Sequence, residues 1–168
     1  MKKLLLISMF VAHIFAAEML YEDDISPKEA YQMQQNGALL IDVRTPSEFI
    51  YAGHALGAIN VPYVYFDFEP KDVETRIKAS QYELTKKKAA DSFKLYLLGT
   101  KKNKKFIEDV KKIVAKLKPK AILVICRSGE RSEHAANDLA KAGLQEVYNV
   151  EDGFIFGWKK EGLPWGGE

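Results

Sequence analysis

The chain has 168 residues, a length typical of one domain, and its 25 basic and 23 acidic side chains give a formal net charge of +2. This near balance gives no basis for a general electrostatic affinity for nucleic acid, so no nucleic-acid partner is predicted. The single cysteine, Cys126, excludes an internal disulfide bond.

The first seventeen residues have the pattern of a secretory signal peptide. Lys2 and Lys3 precede a mostly apolar stretch at 4–12, and the small residues Ala16 and Ala17 follow it. A membrane-spanning helix needs about 20 apolar residues, and this stretch is shorter. We therefore expect residues 1–17 to be removed, the protein to be exported into a bacterial periplasm, and residues 18–168 to form the mature domain.

Two short motifs and two longer periodic stretches predict the helices. The motifs SPKE at 26–29 and TPSE at 45–48 each combine a capping hydroxyl, a proline in the first turn and a glutamate that reaches back to the cap. Apolar residues at helical spacing over 106–117 predict an amphipathic helix. A further helix is expected over 131–142.

Short apolar runs between these helices predict buried strands. They lie at 38–43, 58–61, 121–125 and 147–150. Strands that alternate with helices favour an α/β fold in which a parallel sheet is covered by helices on both faces. Binding sites in such sheets lie beyond the carboxyl ends of the strands.

Residues 64 to about 100 show no clear period and are interpreted as an inserted segment peripheral to the core. The overlapping stretch 86–120 holds 13 lysines against three acidic residues, a local excess of ten positive charges. Such a run is most often a solvated face. The alternative is a docking surface for an acidic protein partner or an anionic membrane.

Cys126 lies at the end of the predicted strand 121–125, a few residues before the next predicted helix. A short loop that leads into a helix N-terminus can turn its backbone N–H groups around an anion, and a thiolate is an anion. Arg127 and Arg131 add positive charge, which favours the thiolate further. The position therefore favours a reactive thiol over an inert buried one.

The remaining loop residues complete a predicted substrate-binding set. Gly129 permits a left-handed backbone, while Ser128 and Ser132 can supply hydrogen bonds. Glu130 places a negative charge in the loop, which disfavours a phosphate dianion. No cluster of cysteine or histidine has metal-ligand spacing, so neither a metal nor a cofactor is predicted.

Three ordered motifs resemble the rhodanese-like sulfurtransferase family. CRSGERS at 126–132 is similar to the active-site loop of that family. The stretch IDVRTPSEFIYAGHALGAINVP at 41–62 resembles its Asp-Val-Arg strand and Gly-His loop, and the glycine-rich end at 153–165 resembles its C-terminal segment. The 63 residues between Pro62 and Cys126 exceed the usual length, in agreement with an insertion.

The resemblance implies a five-stranded parallel sheet with helices on both faces, and a Cys126 that takes up sulfane sulfur as a persulfide. The donor would be thiosulfate or another small sulfur anion, and the acceptor a thiol or cyanide. It also implies that four further polar residues hold the fold together rather than catalyse: Asp42, Arg44, Glu48 and His54.

Two other functions remain open at this point. Cysteine phosphatases and arsenate reductases also place a cysteine in an anion-binding loop, but with five residues between cysteine and arginine, whereas Cys126 and Arg131 have four between them. A binding module that carries persulfide sulfur to a partner, without free turnover, fits the same residues as the enzyme does.

Overall fold

The structure is a computed structural model that describes residues 19–90 and 95–167. The predicted signal peptide lies outside these residues, as does a short stretch of the predicted insertion, residues 91–94. Within the two described ranges, no helix is both long and apolar enough to cross a membrane.

Strands and helices alternate along most of the described chain. In order they are β1 (Asp23–Ile25), α1 (Pro27–Gln35), β2 (Leu39–Asp42), α2 (Pro46–Tyr51), β3 (His54–Ala55), β4 (Ile59–Asn60), β5 (Val64–Pro70), α3 (Val73–Lys86), β6 (Tyr96–Lys102), α4 (Phe106–Leu117), β7 (Ile122–Ile125), α5 (Glu130–Lys141), β8 (Val147–Val150), a π-helix (Gly153–Trp158) and β9 (Trp165–Gly166).

The central sheet has five parallel strands in the order β1-β8-β7-β2-β4. This confirms the predicted α/β class, the parallel sheet and the strand count implied by the resemblance. Strand β7 lies in the middle of the sheet, and Cys126 is the first residue beyond its carboxyl end. Cys126 therefore lies at the edge of the sheet where ligands of parallel α/β sheets bind.

Strand β7 is buried on both faces of the sheet because its side chains alternate between two apolar clusters. Ile122, Val124 and Cys126 join the cluster that contains residues of α4 and α5. Leu123 and Ile125 join the cluster that contains residues of α1 and the π-helix. Burial on both sides explains why this strand is a continuous apolar run rather than an alternating one.

Both predicted helix starts are confirmed. Helix α1 is capped by Ser26, whose Oγ accepts the N–H of Glu29 at 3.3 Å. At α2, Thr45 Oγ1 accepts the N–H of Glu48 at 3.3 Å, and Glu48 Oε2 accepts the N–H of Thr45 at 3.0 Å. This reciprocal capping box fixes the Glu48 carboxylate at the start of α2.

The segment 64–102 forms regular structure outside the parallel sheet. Strands β5 and β6 pair antiparallel from Val64↔Lys102 to Pro70↔Tyr96, and α3 connects them. Neither α3 nor β6 contains a buried residue among those described. The hairpin begins and ends next to the body, since the N–H of Asn103 donates to the Tyr63 carbonyl at 3.0 Å.

Candidate active site

Cys126 is fully buried, with 0% of its surface exposed, and lies at the N-terminus of α5. Its Sγ accepts a hydrogen bond from the backbone N–H of Gly129 at 3.2 Å. Gly129 is the capping residue of α5, so the sulfur lies at the positive end of that helix dipole. Both features direct positive electrostatic potential toward the sulfur.

Gly129 and Ser132 shape the cysteine loop, residues 126–129, from within. Gly129 has a φ of +97°, a left-handed conformation that residues with a Cβ rarely adopt. The buried Ser132 donates its hydroxyl to the Gly129 carbonyl at 2.8 Å. These two predicted site residues therefore hold the loop closed around Sγ.

The π-helix braces the same loop from the C-terminal part of the chain. The N–H of Phe154 donates to the Cys126 carbonyl at 2.8 Å, and that of Ile155 donates to the Arg127 carbonyl at 3.1 Å. A Cβ on Gly153 would lie 2.6 Å from the carbonyl carbon of Arg127, so only glycine fits there. Sequence reasoning missed this support, although the Gly-Phe pair at 153–154 belongs to a motif that carried the resemblance.

Arg131 is anchored to α2 by a two-pronged ion pair with Glu48. Its Nη1 lies 2.9 Å from Glu48 Oε2, and its Nη2 lies 2.7 Å from Oε1. Burial alone would raise the pKa of Glu48, but the hydrogen bonds and charge of Arg131, with those from Thr45, hold that pKa below its ordinary value. The same carboxylate raises the pKa of Arg131 despite burial, so both groups are charged at neutral pH.

Arg127, Ser128 and Glu130 are exposed at the outer side of the loop. The Arg127 guanidinium lies 5.7 Å from the centre of the Phe156 ring. With four other residues it lines a shallow pocket of about 210 Å³ beside the loop: Arg44, Glu48, Ala52 and Ile155. Their assignment to substrate binding, like that of Arg131, stays a prediction.

Asp42 and Arg44 form a buried ion pair under the pocket. Arg44 Nη2 lies 2.6 Å from Asp42 Oδ2 and also donates to the Gly53 carbonyl at 2.7 Å. The Arg44 guanidinium lies 4.3 Å from the centre of the ring of Phe154, the residue whose backbone N–H binds the Cys126 carbonyl. These contacts agree with the structural role that the resemblance implied for this pair, and that role stays a prediction.

His54 also has a structural environment. Its ring stacks on Phe49 with centroids 3.7 Å apart, and its Nδ1 lies 3.1 Å from the Phe49 carbonyl oxygen. Across the described ranges, no group of three His, Cys, Asp or Glu side chains is placed to hold a metal ion. The described residues thus bring together one thiol, a helix N-terminus and two guanidinium groups.

A buried cysteine beyond the central parallel strand, followed by a short loop into a helix, makes this an α/β protein with a cysteine loop at the carboxyl edge of its sheet. A family model described as Rhodanese-like domain matches residues 26–161. The chain therefore belongs to the rhodanese-like domain family. The resemblance read from the three motifs is confirmed.

Two relatives cover nearly the whole chain. The chain is 32% identical over 149 residues to Thiosulfate sulfurtransferase 16, chloroplastic, of Arabidopsis thaliana. This match covers 89% of the chain and 97% of that protein. The chain is also 32% identical over 149 residues to an uncharacterised protein of Rickettsia prowazekii, covering 84% of this chain and 95% of the relative.

Solved structures share the fold at lower sequence identity. The protein Rv0390 from M. tuberculosis superposes with a TM-score of 0.58 at 24% identity, covering 88% of this chain and 99% of that one. Thiosulfate sulfurtransferase from Pseudomonas aeruginosa superposes with a TM-score of 0.53 at 16% identity, covering 88% of this chain and 20% of that one. At these identities the likeness establishes the fold.

Proposed function

We propose that the protein is a sulfurtransferase that moves sulfane sulfur from a small donor such as thiosulfate to a thiol or cyanide through a persulfide on Cys126. The observation that carries the proposal is Cys126 Sγ at the N-terminus of α5, with the Gly129 N–H donating to it at 3.2 Å. Family membership and a relative named as a thiosulfate sulfurtransferase support the same reaction class.

The chemistry needs one nucleophilic sulfur and donors for a departing anion. The Cys126 thiolate attacks the outer sulfur of thiosulfate, the S–S bond of thiosulfate breaks, and sulfite leaves with the bonding electron pair. The helix N-terminus and the exposed Arg127 favour the negative charges of donor and leaving group. Cyanide or a thiolate then takes the outer sulfur, and Cys126 leaves as a thiolate.

A phosphatase reaction fits the loop less well. Four residues rather than five separate Cys126 from Arg131. The carbonyls of Cys126 and Arg127 are bound by the π-helix, so the loop cannot widen at its start without losing two hydrogen bonds. Glu130 adds a negative charge beside the loop, which repels a phosphate dianion.

Export of the mature protein is a separate part of the proposal. It rests on the sequence of residues 1–17 and on the presence of one unpaired cysteine, which serves a purpose in an oxidising compartment only if its reactivity is used. N-terminal sequencing of the protein purified from its own cells should find Ala17 or Glu18 as the first residue. Retention of Met1 on cytoplasmic protein would overturn export.

The reaction is tested with wild type and Cys126→Ser. Wild type treated with thiosulfate should gain one sulfur atom by intact mass and should form thiocyanate from cyanide in repeated turnovers. The serine variant should do neither, with an unchanged thermal unfolding profile, because serine fits the same space. Faster hydrolysis of phosphate esters than consumption of thiosulfate would contradict the proposal. A persulfide that forms without turnover would favour the carrier module instead.

A further inference from the structure

The hairpin of β5 and β6 has one apolar face. Residues directly opposite each other in an antiparallel pair share a face, so Phe68 and Leu98 lie side by side on one surface. The same face includes Phe66 and Tyr96, which lie two residues before Phe68 and Leu98 in their strands. Phe68 and Leu98 are 50% and 48% exposed, a high value for large apolar side chains in such a row.

The aromatic rings of this face form a continuous row. The centroids of Phe66 and Phe68 are 5.8 Å apart, and those of Phe68 and Tyr96 are 6.4 Å apart, both edge-to-face. The opposite face of the hairpin has a different character, because Tyr65 and Leu97 alternate there with charged side chains such as Asp67. The apolar row is therefore confined to one side.

The row reaches the first turn of α5, which follows the cysteine loop. The Arg131 guanidinium lies 5.3 Å from the centre of the Phe66 ring and forms the ion pair with Glu48. On the other side of the loop, Arg127 lies 5.7 Å from the ring of Phe156, which is half exposed. Aromatic surface thus flanks both arginines that follow the nucleophile.

The base of the hairpin is strongly basic. Four lysines follow one another where β6 returns to the body: Lys101, Lys102, Lys104 and Lys105. Over residues 64–105 the sequence has eleven basic and six acidic residues, a net charge of +5. Lys102 lies on the apolar face, opposite Val64, where it pairs with Asp138 of α5 at 2.7 Å. A partner matched to this surface combines apolar side chains with acidic ones.

We propose that this hairpin face, consisting of Phe66, Phe68, Tyr96 and Leu98, docks an acidic polypeptide that presents a cysteine thiol to Cys126. The inference rests on the proposed function. Thiosulfate and cyanide are too small to need an aromatic row of this kind, whereas exposed contiguous apolar surface next to a reactive group marks protein recognition. Lys101, Lys104 and Lys105 beside the face supply the complementary charge, and Phe66 brings the face to Arg131 in the first turn of α5.

The transfer step balances without another reagent. The docked cysteine thiolate attacks the outer sulfur of the Cys126 persulfide, and a new S–S bond forms on the polypeptide. The S–S bond to Cys126 breaks, and Cys126 leaves as a thiolate with the electron pair. The polypeptide then carries the persulfide, and no external oxidant or reductant takes part.

The test uses a short synthetic peptide with one cysteine flanked by leucine, phenylalanine and glutamate, compared with N-acetylcysteine. The face variant is Phe68→Ser with Leu98→Ser, and the matched control is Tyr65→Ser with Leu97→Ser on the opposite face of the same hairpin. Wild type should transfer sulfur to the peptide with a kcat/KM about tenfold above that for N-acetylcysteine. The ratio of peptide transfer to cyanide transfer should fall about tenfold in the face variant and stay unchanged in the control.

A binding measurement separates this proposal from the sulfurtransferase proposal. A fluorescent peptide with serine in place of cysteine should bind wild type and Cys126→Ser alike, and its Kd should rise about tenfold in the face variant only. Peptide binding without persulfide formation would overturn the sulfurtransferase function but support the hairpin face as a docking surface. Equal peptide affinity of the face variant and the control variant would overturn the hairpin face as a docking surface.

Two other occupants of the face give distinct results. Sedimentation would show a wild-type dimer that the face variant converts to a monomer if a second copy covers the surface. Cosedimentation with anionic phosphatidylglycerol vesicles, lost in the face variant and unaffected by excess peptide, would show a membrane surface instead. Either result overturns the acidic polypeptide as the occupant.

Discussion

The parallel-sheet body and the hairpin segment 64–102 use strands in opposite ways. All four residues of β7 are buried, and each face of that strand packs against a separate apolar cluster. All seven residues of β6 are exposed, and β6 pairs with β5 alone in a two-stranded sheet. An isolated two-stranded hairpin is at best marginally stable in water. The body therefore supplies stability, and the hairpin supplies surface.

The contacts that join the two regions involve charged side chains of the body. Lys102 of β6 pairs with Asp138 of α5 at 2.7 Å. The Arg131 guanidinium of α5 lies 5.3 Å from the centre of the Phe66 ring of β5. Regions with few buried apolar contacts open locally at low free energy, so we expect the hairpin to exchange its amide hydrogens before the body does.

The largest contrast is expected from matched leucine truncations. Leu123→Ala in β7, where the side chain is 0% exposed, should lower the free energy of unfolding by about 2–5 kcal/mol because it leaves a cavity. Leu97→Ala in β6, 57% exposed, should change it by less than about 0.5 kcal/mol. Chemical denaturation measures both. Similar losses at the two positions would contradict the division between stability and surface.

Matched glycine substitutions should give the next largest contrast. Gly153 has a φ of +56°, and a Cβ there would meet the Arg127 backbone at 2.6 Å, so Gly153→Ala should cost about 2–4 kcal/mol. It should also slow sulfur transfer, because the cysteine loop must shift. Gly99→Ala in the hairpin meets only Asp67, at 3.5 Å, and should leave both unfolding and transfer nearly unchanged. A tolerated Gly153→Ala would show that the π-helix does not brace the loop.

The ion pair of Glu48 and Arg131 should have a smaller, pH-dependent effect. The folded-state pKa of Glu48 lies below its ordinary value of 4.5, so the carboxylate stabilises the fold above that pH and loses this contribution as the pH falls through the folded-state pKa. Glu48→Gln should therefore cost about 1–3 kcal/mol at neutral pH, and progressively less as the pH falls below 4.5. Unfolding curves across this range measure the difference. An undiminished cost in acid would rule out the charged pair as its source.

Removal of the hairpin should have the smallest effect on the body. Tyr63 and Asn103 are already hydrogen-bonded at 3.0 Å, so a short glycine linker can replace residues 64–102 without moving either end. We expect cooperative unfolding within about 1 kcal/mol of wild type, and a Cys126 that still forms a persulfide with thiosulfate. Loss of a cooperative transition in this deletion would place the segment in the core.

Local signals made most of the body predictable from the sequence. The caps at Ser26 and Thr45 act within four residues, and the buried strands are mostly apolar runs, so each is visible in a short window. Strand β1 was missed because Asp23 and Asp24 are exposed at the edge of the sheet and only Ile25 is buried. Its strand conformation comes from pairing with β8, which no local pattern reveals.

The cysteine loop was predictable because its residues are contiguous, whereas its supports were not. The Arg131–Glu48 pair joins residues 83 positions apart. The sequence indicated two arginines beside the thiol but could not tell that one is held by a carboxylate on α2 while Arg127 is exposed. The period of the hairpin was also weak, because Tyr65 and Leu97 interrupt the alternation of apolar and polar residues in its strands, and α3 has no buried face.

The position of β1 affects the order in which the chain can fold during synthesis. β1 pairs only with β8 in the central sheet, through partners such as Asp23 and Tyr148, which are 125 residues apart. A ribosome adds about 5–20 residues per second, so the N-terminal edge strand waits roughly 6–25 seconds for its partner to be made. The last brace of the cysteine loop, from Phe154, is made later still. The nascent chain therefore remains without its complete sheet until β8 has been made, and its thiol without this backbone support until Phe154 has been made.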